Sequence, residues 1–185
     1  MKNNMRTIQS IKNEQLNEAL DFIKKVFTDS EGEESGTLVM NLVKEIRSKK
    51  YYLPELELVM VDENNEIIGY CMFSRFHIEN KYDDEFLLLS PVAVKTELQR
   101  QHISKELIEY GLIKAKKLGY KVCMVEGNPL NYRSRGFVTS SDYGIYADES
   151  VGLPAPECLM VLELVPGALE HMSGYISYEM YESLR

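Results

Sequence analysis

Apolar positions recur at helical spacing from about Asn13 to Phe27, where Leu16, Ala19, Leu20, Ile23, Val26 and Phe27 fall on one stripe. Thr7 to Ile11, just before, reads as a short strand. The acidic stretch Asp29-Ser30-Glu31-Gly32-Glu33-Glu34-Ser35-Gly36 has the composition of a loop. Thr37 is then placed to cap a second helix to about Ser48, with Leu38, Leu42, Val43 and Ile46 inward. The period next shortens to that of strands, over Glu57 to Val61 and Glu66 to Ile78, with Asp62-Glu63-Asn64-Asn65 between them as a hairpin turn. A further strand is expected from about Glu85 to Val94. After a polar turn, His102 to Leu118 reads as an amphipathic helix with Ile103, Leu107, Tyr110, Gly111 and Leu118 on its inner stripe, closed by Gly119. Lys121 to Glu126 is a strand, Pro129 to Ser134 a short helix or turn, and Gly136 to Val138 and Cys158 to Val165 are later strands. Hairpin-joined strands followed by one helical crossover predict an α/β fold of the α+β kind: a mixed sheet, mostly antiparallel, with one parallel pair and flanking helices.

The crossover at 87–126 is the chemically informative part. A βαβ unit sets the helix N-terminus beside the carboxyl end of its first strand, where unpaired N–H groups and the helix dipole favour an anion such as phosphate. Ser90-Pro91 interrupts the apolar strand Leu87 to Val94. Proline cannot donate to a ladder, so a bulge or strand separation is expected there, the alternative being an edge strand with Pro91 harmlessly placed.

Three ordered segments, Gln99-Arg100-Gln101-His102-Ile103-Ser104, then Gly127-Asn128-Pro129-Leu130-Asn131-Tyr132, then Pro166-Gly167-Ala168-Leu169, resemble the GNAT N-acetyltransferase superfamily. Gln99-Arg100-Gln101-His102-Ile103-Ser104 is similar to its Q/R-x-x-G-x-G/A acetyl-CoA signature, with His102 where the family has glycine. Gly127-Asn128-Pro129-Leu130-Asn131-Tyr132, followed by Gly136-Phe137, is similar to the G-D-P-x-Y-Y-x-x-x-G-F segment of a bacterial branch. The strand ending in Pro166-Gly167-Ala168-Leu169 is similar to that branch's C-terminal P-G-A-L. The resemblance implies a GNAT fold with a splayed parallel strand pair. It also implies acetyl-CoA as acyl donor and direct transfer of the acetyl group to an amine of a small molecule or protein.

By that resemblance, Val92, Ala93 and Val94 hold the pantetheine arm through main-chain groups, and Gln99, Arg100, Gln101, His102, Ile103, Ser104 and Lys105 form the pyrophosphate grip. Tyr132 stands where the family has the general acid for the departing thiolate, with Tyr143 and Tyr146 as less well placed alternatives. Asn131 and Arg133-Ser134-Arg135 depart from the family's neighbours. His102 either contacts phosphate, obstructs it, or is a surface residue at the helix start without a role. Glu126, at the end of its strand, is a candidate base; Glu33 and Glu34 are others, although the family's loop glutamate falls nearest Ser35. A water-relayed deprotonation with no dedicated base is the alternative. The departures at His102, Asn131 and Ser35 leave a second reading open, a catalytically weak or inactive GNAT-fold module that binds a ligand or partner.

Composition narrows this further. A chain of 185 residues with 44% hydrophobic content and no low-complexity linker is expected to be one N-acetyltransferase domain over 1–185. The net charge of −8 argues against nucleic acid as partner. It is also the sign that would attract a cationic amine, unless it serves only solubility. No apolar run is long enough for a membrane span, and Met1-Lys2-Asn3-Asn4-Met5-Arg6 lacks the apolar core of a signal peptide, so a cytoplasmic protein is expected. A homodimer is within what the resemblance allows. Cys71, Cys123 and Cys158 lie singly in apolar runs and read as buried reduced thiols. His77, His102 and His171 are not spaced with cysteines or carboxylates as metal ligands, and no GxSxG or GxxxxGK[ST] motif occurs.

Overall fold

Nine strands and four α-helices form over the described residues, 5–184 of a computed structural model; the reading of the N-terminus as leaderless falls largely on residues outside that range. The elements divide between two compact units. One takes residues up to Phe73 together with Pro91–Gly111, and the other takes Ser74–Ser90 together with residues from Leu112 onward.

In the first unit, β1 (Thr7–Ser10) pairs antiparallel with β2 (Glu57–Val61), Thr7 opposite Val61, and β2 pairs antiparallel with β3 (Ile67–Arg75), Glu57 opposite Met72. The order continues to β4 (Phe86–Val94). Two helices, α1 (Leu16–Glu31) and α2 (Glu33–Arg47), pack as a hairpin with Ala19, Leu20, Ile23 and Val26 of one and Leu42, Val43 and Ile46 of the other buried. Leu38, expected inward, is exposed.

The acidic stretch 29–36 is therefore helix and not loop. Its only break is Gly32, whose φ of 100° few side chains would tolerate. Composition misled because the segment's acidic residues are helix-compatible: Glu33 and Glu34 sit in the first turn of α2, where the dipole favours negative charge. Gly36 lets the two helices approach, since a Cβ there would lie 2.1 Å from the Thr28 hydroxyl.

Helix α3 (Ile103–Lys117) lies on β2 and β3 through two glycines. A Cβ on Gly69 would lie 2.6 Å from the Ile103 side chain, and one on Gly111 2.1 Å from the Phe73 ring, so at each glycine a side chain of the opposite element packs directly on the backbone. That close contact sets the rotation of α3. Ile103, Leu107, Ile108 and Ala115 are buried, whereas Tyr110 and Leu118, assigned inward from spacing, face solvent.

At the start of β2 a charge is fully buried. The Glu57 carboxylate accepts from Arg47 Nε at 2.9 Å and from Tyr70 Oη at 2.7 Å, and it is also bonded to Arg47 Nη2 and Tyr52 Oη. Burial foremost, then the carboxylate, pushes the Tyr52 and Tyr70 hydroxyls above their ordinary pKa, so both stay donors.

In the second unit the order runs from β4 to β5 (Val122–Glu126), β8 (Leu159–Glu163) and β6 (Val138–Thr139). Strands β4 and β5 are the expected parallel pair, whereas β5 with β8 and β6 with β8 are antiparallel. The parallel ladder covers only Phe86–Leu88 against Val122–Met124, ending short of Ser90-Pro91 while both strands continue. A second parallel pair, β7 (Ile145–Ala147) with β9 (Gly174–Ile176), was not foreseen; strands of three residues are too short to show alternation. Cys71 and Cys123 are buried thiols, and Cys158 is half-buried.

Candidate functional site

In the first unit the end of β4 alternates, with Ala93 buried and Val92 and Val94 half-exposed, and the strand is followed by a tight turn at Thr96–Leu98. The chain then enters α3 through two left-handed residues, Arg100 at φ 61° and His102 at φ 65°, on either side of Gln101. The His102 carbonyl accepts the Glu106 N–H at 3.0 Å, closing the first turn of α3. The N–H groups of Ile103, Ser104 and Lys105 belong to the first turn, where a helix has no acceptor of its own. Arg6 Nη2 holds the Gln101 side chain at 2.7 Å. Lys105 is paired along the helix with Glu109 at 3.7 Å.

This geometry explains the glycine of the signature. The turn demands a left-handed residue at position 102; glycine adopts that conformation freely and histidine at a cost of about 1–2 kcal/mol. The turn forms all the same, with the imidazole exposed. A left-handed turn leading into the N-terminus of a long helix is a geometry that accepts a pyrophosphate. His102→Gly is expected to raise stability by about 0.5–1 kcal/mol, net of glycine's greater unfolded-state entropy. A denaturant midpoint that falls instead would show that the imidazole stabilises the turn.

In the second unit, Tyr132 lies on α4 (Pro129–Arg133), which opens with Pro129 in its first turn and Asn128 as cap, Oδ1 accepting the Leu130 N–H at 3.0 Å. The half-buried ring is held on three sides. It meets Phe137 edge-on at 5.6 Å, the Arg135 guanidinium stands 5.5 Å from its centroid, and Gly127 lies beneath it, where a Cβ would come within 2.4 Å. The first glycine of the Gly127-Asn128-Pro129 segment is thus required by close packing against the tyrosine.

Glu126 ends β5 opposite Leu159, and its Oε2 accepts the Tyr178 hydroxyl at 3.1 Å. Although the residue reaches solvent, crowding of its carboxyl by protein raises the pKa above the ordinary value, against the opposing pull of the Tyr178 bond. Tyr178 itself is buried and its pKa is raised, chiefly by that burial. No sequence signal marked Tyr178; it is one of several tyrosines in the C-terminal stretch and belongs to no motif.

The remaining candidates lie elsewhere. Tyr143 is exposed in the turn Ser140–Tyr143, and Tyr146 lies on β7. Glu33 and Glu34 are exposed on α2, and Ser35 Oγ donates to Glu31 at 2.6 Å.

Comparison with known proteins shows the family. The sequence model of the Acetyltransferase (GNAT) family matches residues 20–142, more than half of the chain. No curated protein matches. Among solved structures, the fold is similar to that of the GNAT family N-acetyltransferase YhbS from Escherichia coli in complex with CoA, at TM-score 0.78 and 21% identity over 97% of this chain and 91% of that one. It is also similar to a GNAT family acetyltransferase from Brucella melitensis in complex with acetyl-CoA, at TM-score 0.70 and 20% identity over 98% and 99% of the two chains. A third, an acetyltransferase of the GNAT family from Staphylococcus aureus, gives TM-score 0.60 and 13% identity over 87% and 100%.

Proposed function

Because the chain belongs to the GNAT acetyltransferase family, we propose that it is a single-domain, cytoplasmic N-acetyltransferase moving the acetyl group of acetyl-CoA directly to an amine. The observation that supports this most is the left-handed turn at Arg100 and His102 leading into α3. The binding-module alternative is not favoured, because its main motive was the missing glycine, and the backbone adopts the turn without it. Among the described residues, no helix is long and apolar enough to cross a membrane.

Bound acetyl-CoA supplies a thioester whose carbonyl carbon an amine attacks. On this reading Gln99 to Lys105 grip its pyrophosphate through the first N–H groups and positive end of α3, with Arg100 and Lys105 adding charge. Val92 and Val94 present backbone groups to the pantetheine arm, with Ala93 turned into the core between them. As the C–N bond forms and the C–S bond breaks, the Tyr132 hydroxyl gives its proton to sulfur and Glu126 takes one from the amine. A carboxyl with a raised pKa is the better base for that task, and the Tyr178 hydroxyl orients it.

Saturating acetyl-CoA is expected to raise the melting temperature, since a ligand that binds only the folded state at a hundred times its Kd stabilises by about 2.7 kcal/mol. Unchanged melting in millimolar acetyl-CoA would overturn the reading.

A further inference from the structure

The second unit contains a groove of about 360 Å³ that the acetyl-transfer chemistry leaves without an occupant. Its walls are mostly apolar, with Ile145, Leu153, Pro154, Pro156 and Leu159 among them, and Asp148 is the one charged residue among the described residues that line it. That volume is within the range of small-ligand sites, which pair apolar walls with a few placed polar groups.

Three features of the groove point to a cation. Tyr146 and Asp148 both line it, Asp148 directly after β7 with its N–H bonded to the Ile176 carbonyl at 2.9 Å. Tyr146, the aromatic residue of the lining, is 47% exposed, and its ring lies 5.8 Å from that of its register partner Tyr175, itself 55% exposed, so an aromatic face is open to a cation. The carboxylate is held in place: Asp148 Oδ1 accepts Ser150 N–H at 2.8 Å and Ser150 Oγ at 2.5 Å. Partial desolvation opposes its charge, but these bonds outweigh it and lower the pKa, so Asp148 stays an anion.

A chain of hydrogen bonds also runs from Asp148 through Ser150 and Tyr178 to Glu126. Ser150 Oγ accepts the Tyr178 N–H at 2.8 Å, and the Tyr178 hydroxyl reaches Glu126 at 3.1 Å. Leu159, a wall of the groove, stands opposite Glu126 in the β5–β8 ladder and projects to the same face. We infer that this groove is the acceptor subsite, selecting an amine that carries a second positive charge at the far end of a short apolar body. The body lies along the apolar walls, the distal cation meets Asp148 and the Tyr146 face, and the reacting nitrogen is left at the Glu126 end. The inference rests on the acetyl-transfer reading for the chemistry of the reacting nitrogen, but not for the binding of the cation.

Calorimetric titration of the full chain with linear diamines from diaminopropane to diaminooctane, and with the matching monoamines, tests it. At least one diamine is expected to bind about tenfold or more tightly than its monoamine, as a charge-assisted contact implies. Asp148→Asn, which keeps an acceptor for Ser150, should abolish that preference, and Tyr146→Ala should reduce it. No preference for any diamine in the unaltered protein, or an undiminished preference in Asp148→Asn, overturns the inference. Acetyl-CoA is titrated separately. If it binds while the diamine preference is absent, the groove assignment falls alone; if it fails to bind while the preference holds, the acetyl-transfer reading falls and the cation site stands.

Discussion

Tyr132→Phe is expected to lower kcat about a hundredfold while leaving acetyl-CoA affinity nearly unchanged, because a lost general acid removes help given only in the transition state. The structure makes this substitution a clean one. The ring's contacts with Phe137, Arg135 and Gly127 involve its faces and edge, so phenylalanine keeps this packing. Single-turnover kinetics, in which chemistry limits the rate, checks it. Full turnover in the variant would pass the proton to another donor or to water. A joint loss of acetyl-CoA binding would make Tyr132 a wall of the cofactor pocket instead.

The largest stability effect is expected at Arg47. Arg47→Met leaves the fully buried Glu57 carboxylate without its cation, a loss of about 3–5 kcal/mol. The Tyr52 and Tyr70 hydroxyls still donate, but a neutral donor cannot balance a buried charge. The same guanidinium also donates from Nη1 to the Leu16 carbonyl at 3.0 Å, so the start of α1 loses a contact as well. The double variant Arg47→Met with Glu57→Gln is expected to regain most of the loss, since the amide removes the buried charge while its oxygen still accepts from the Tyr52 and Tyr70 hydroxyls. Denaturant midpoints of the two variants measure the difference. Equal destabilisation in single and double variants would show that packing, and not the unpaired charge, is what Arg47 contributes.

What could be read along the chain was what local chemistry determines. The apolar stripe of α1, the strand leading to Pro91, the helix starting near Ile103 and the cap at Gly119, whose φ is 99°, each rest on neighbours within a few residues. The three motif segments are local too, and for that reason the family was legible. The stretch 29–36 was misread for the complementary reason: its loop-like composition gives way to the helix hairpin that Gly36 permits by removing a side chain between α1 and α2. Likewise, spacing alone placed Tyr110 and Leu118 inward, whereas the glycine contacts at Gly69 and Gly111 decided which face of α3 is covered.

The candidate site divides along the same line. Tyr132 and the turn around His102 could be found because they sit in motifs, but the left-handed backbone that explains the glycine preference is a property of the folded turn. Tyr178 reaches Glu126 across 52 positions of sequence, and Arg47 reaches Glu57 from a helix to a strand. The sequence by itself determined most of the elements, the family and the residue types available for chemistry, because periodicity, capping and motif spacing act over short stretches of chain. Which carboxylate is buried, which is crowded and which is held ionised was decided only by tertiary structure, because burial and hydrogen bonding depend on partners that sequence distance does not reveal.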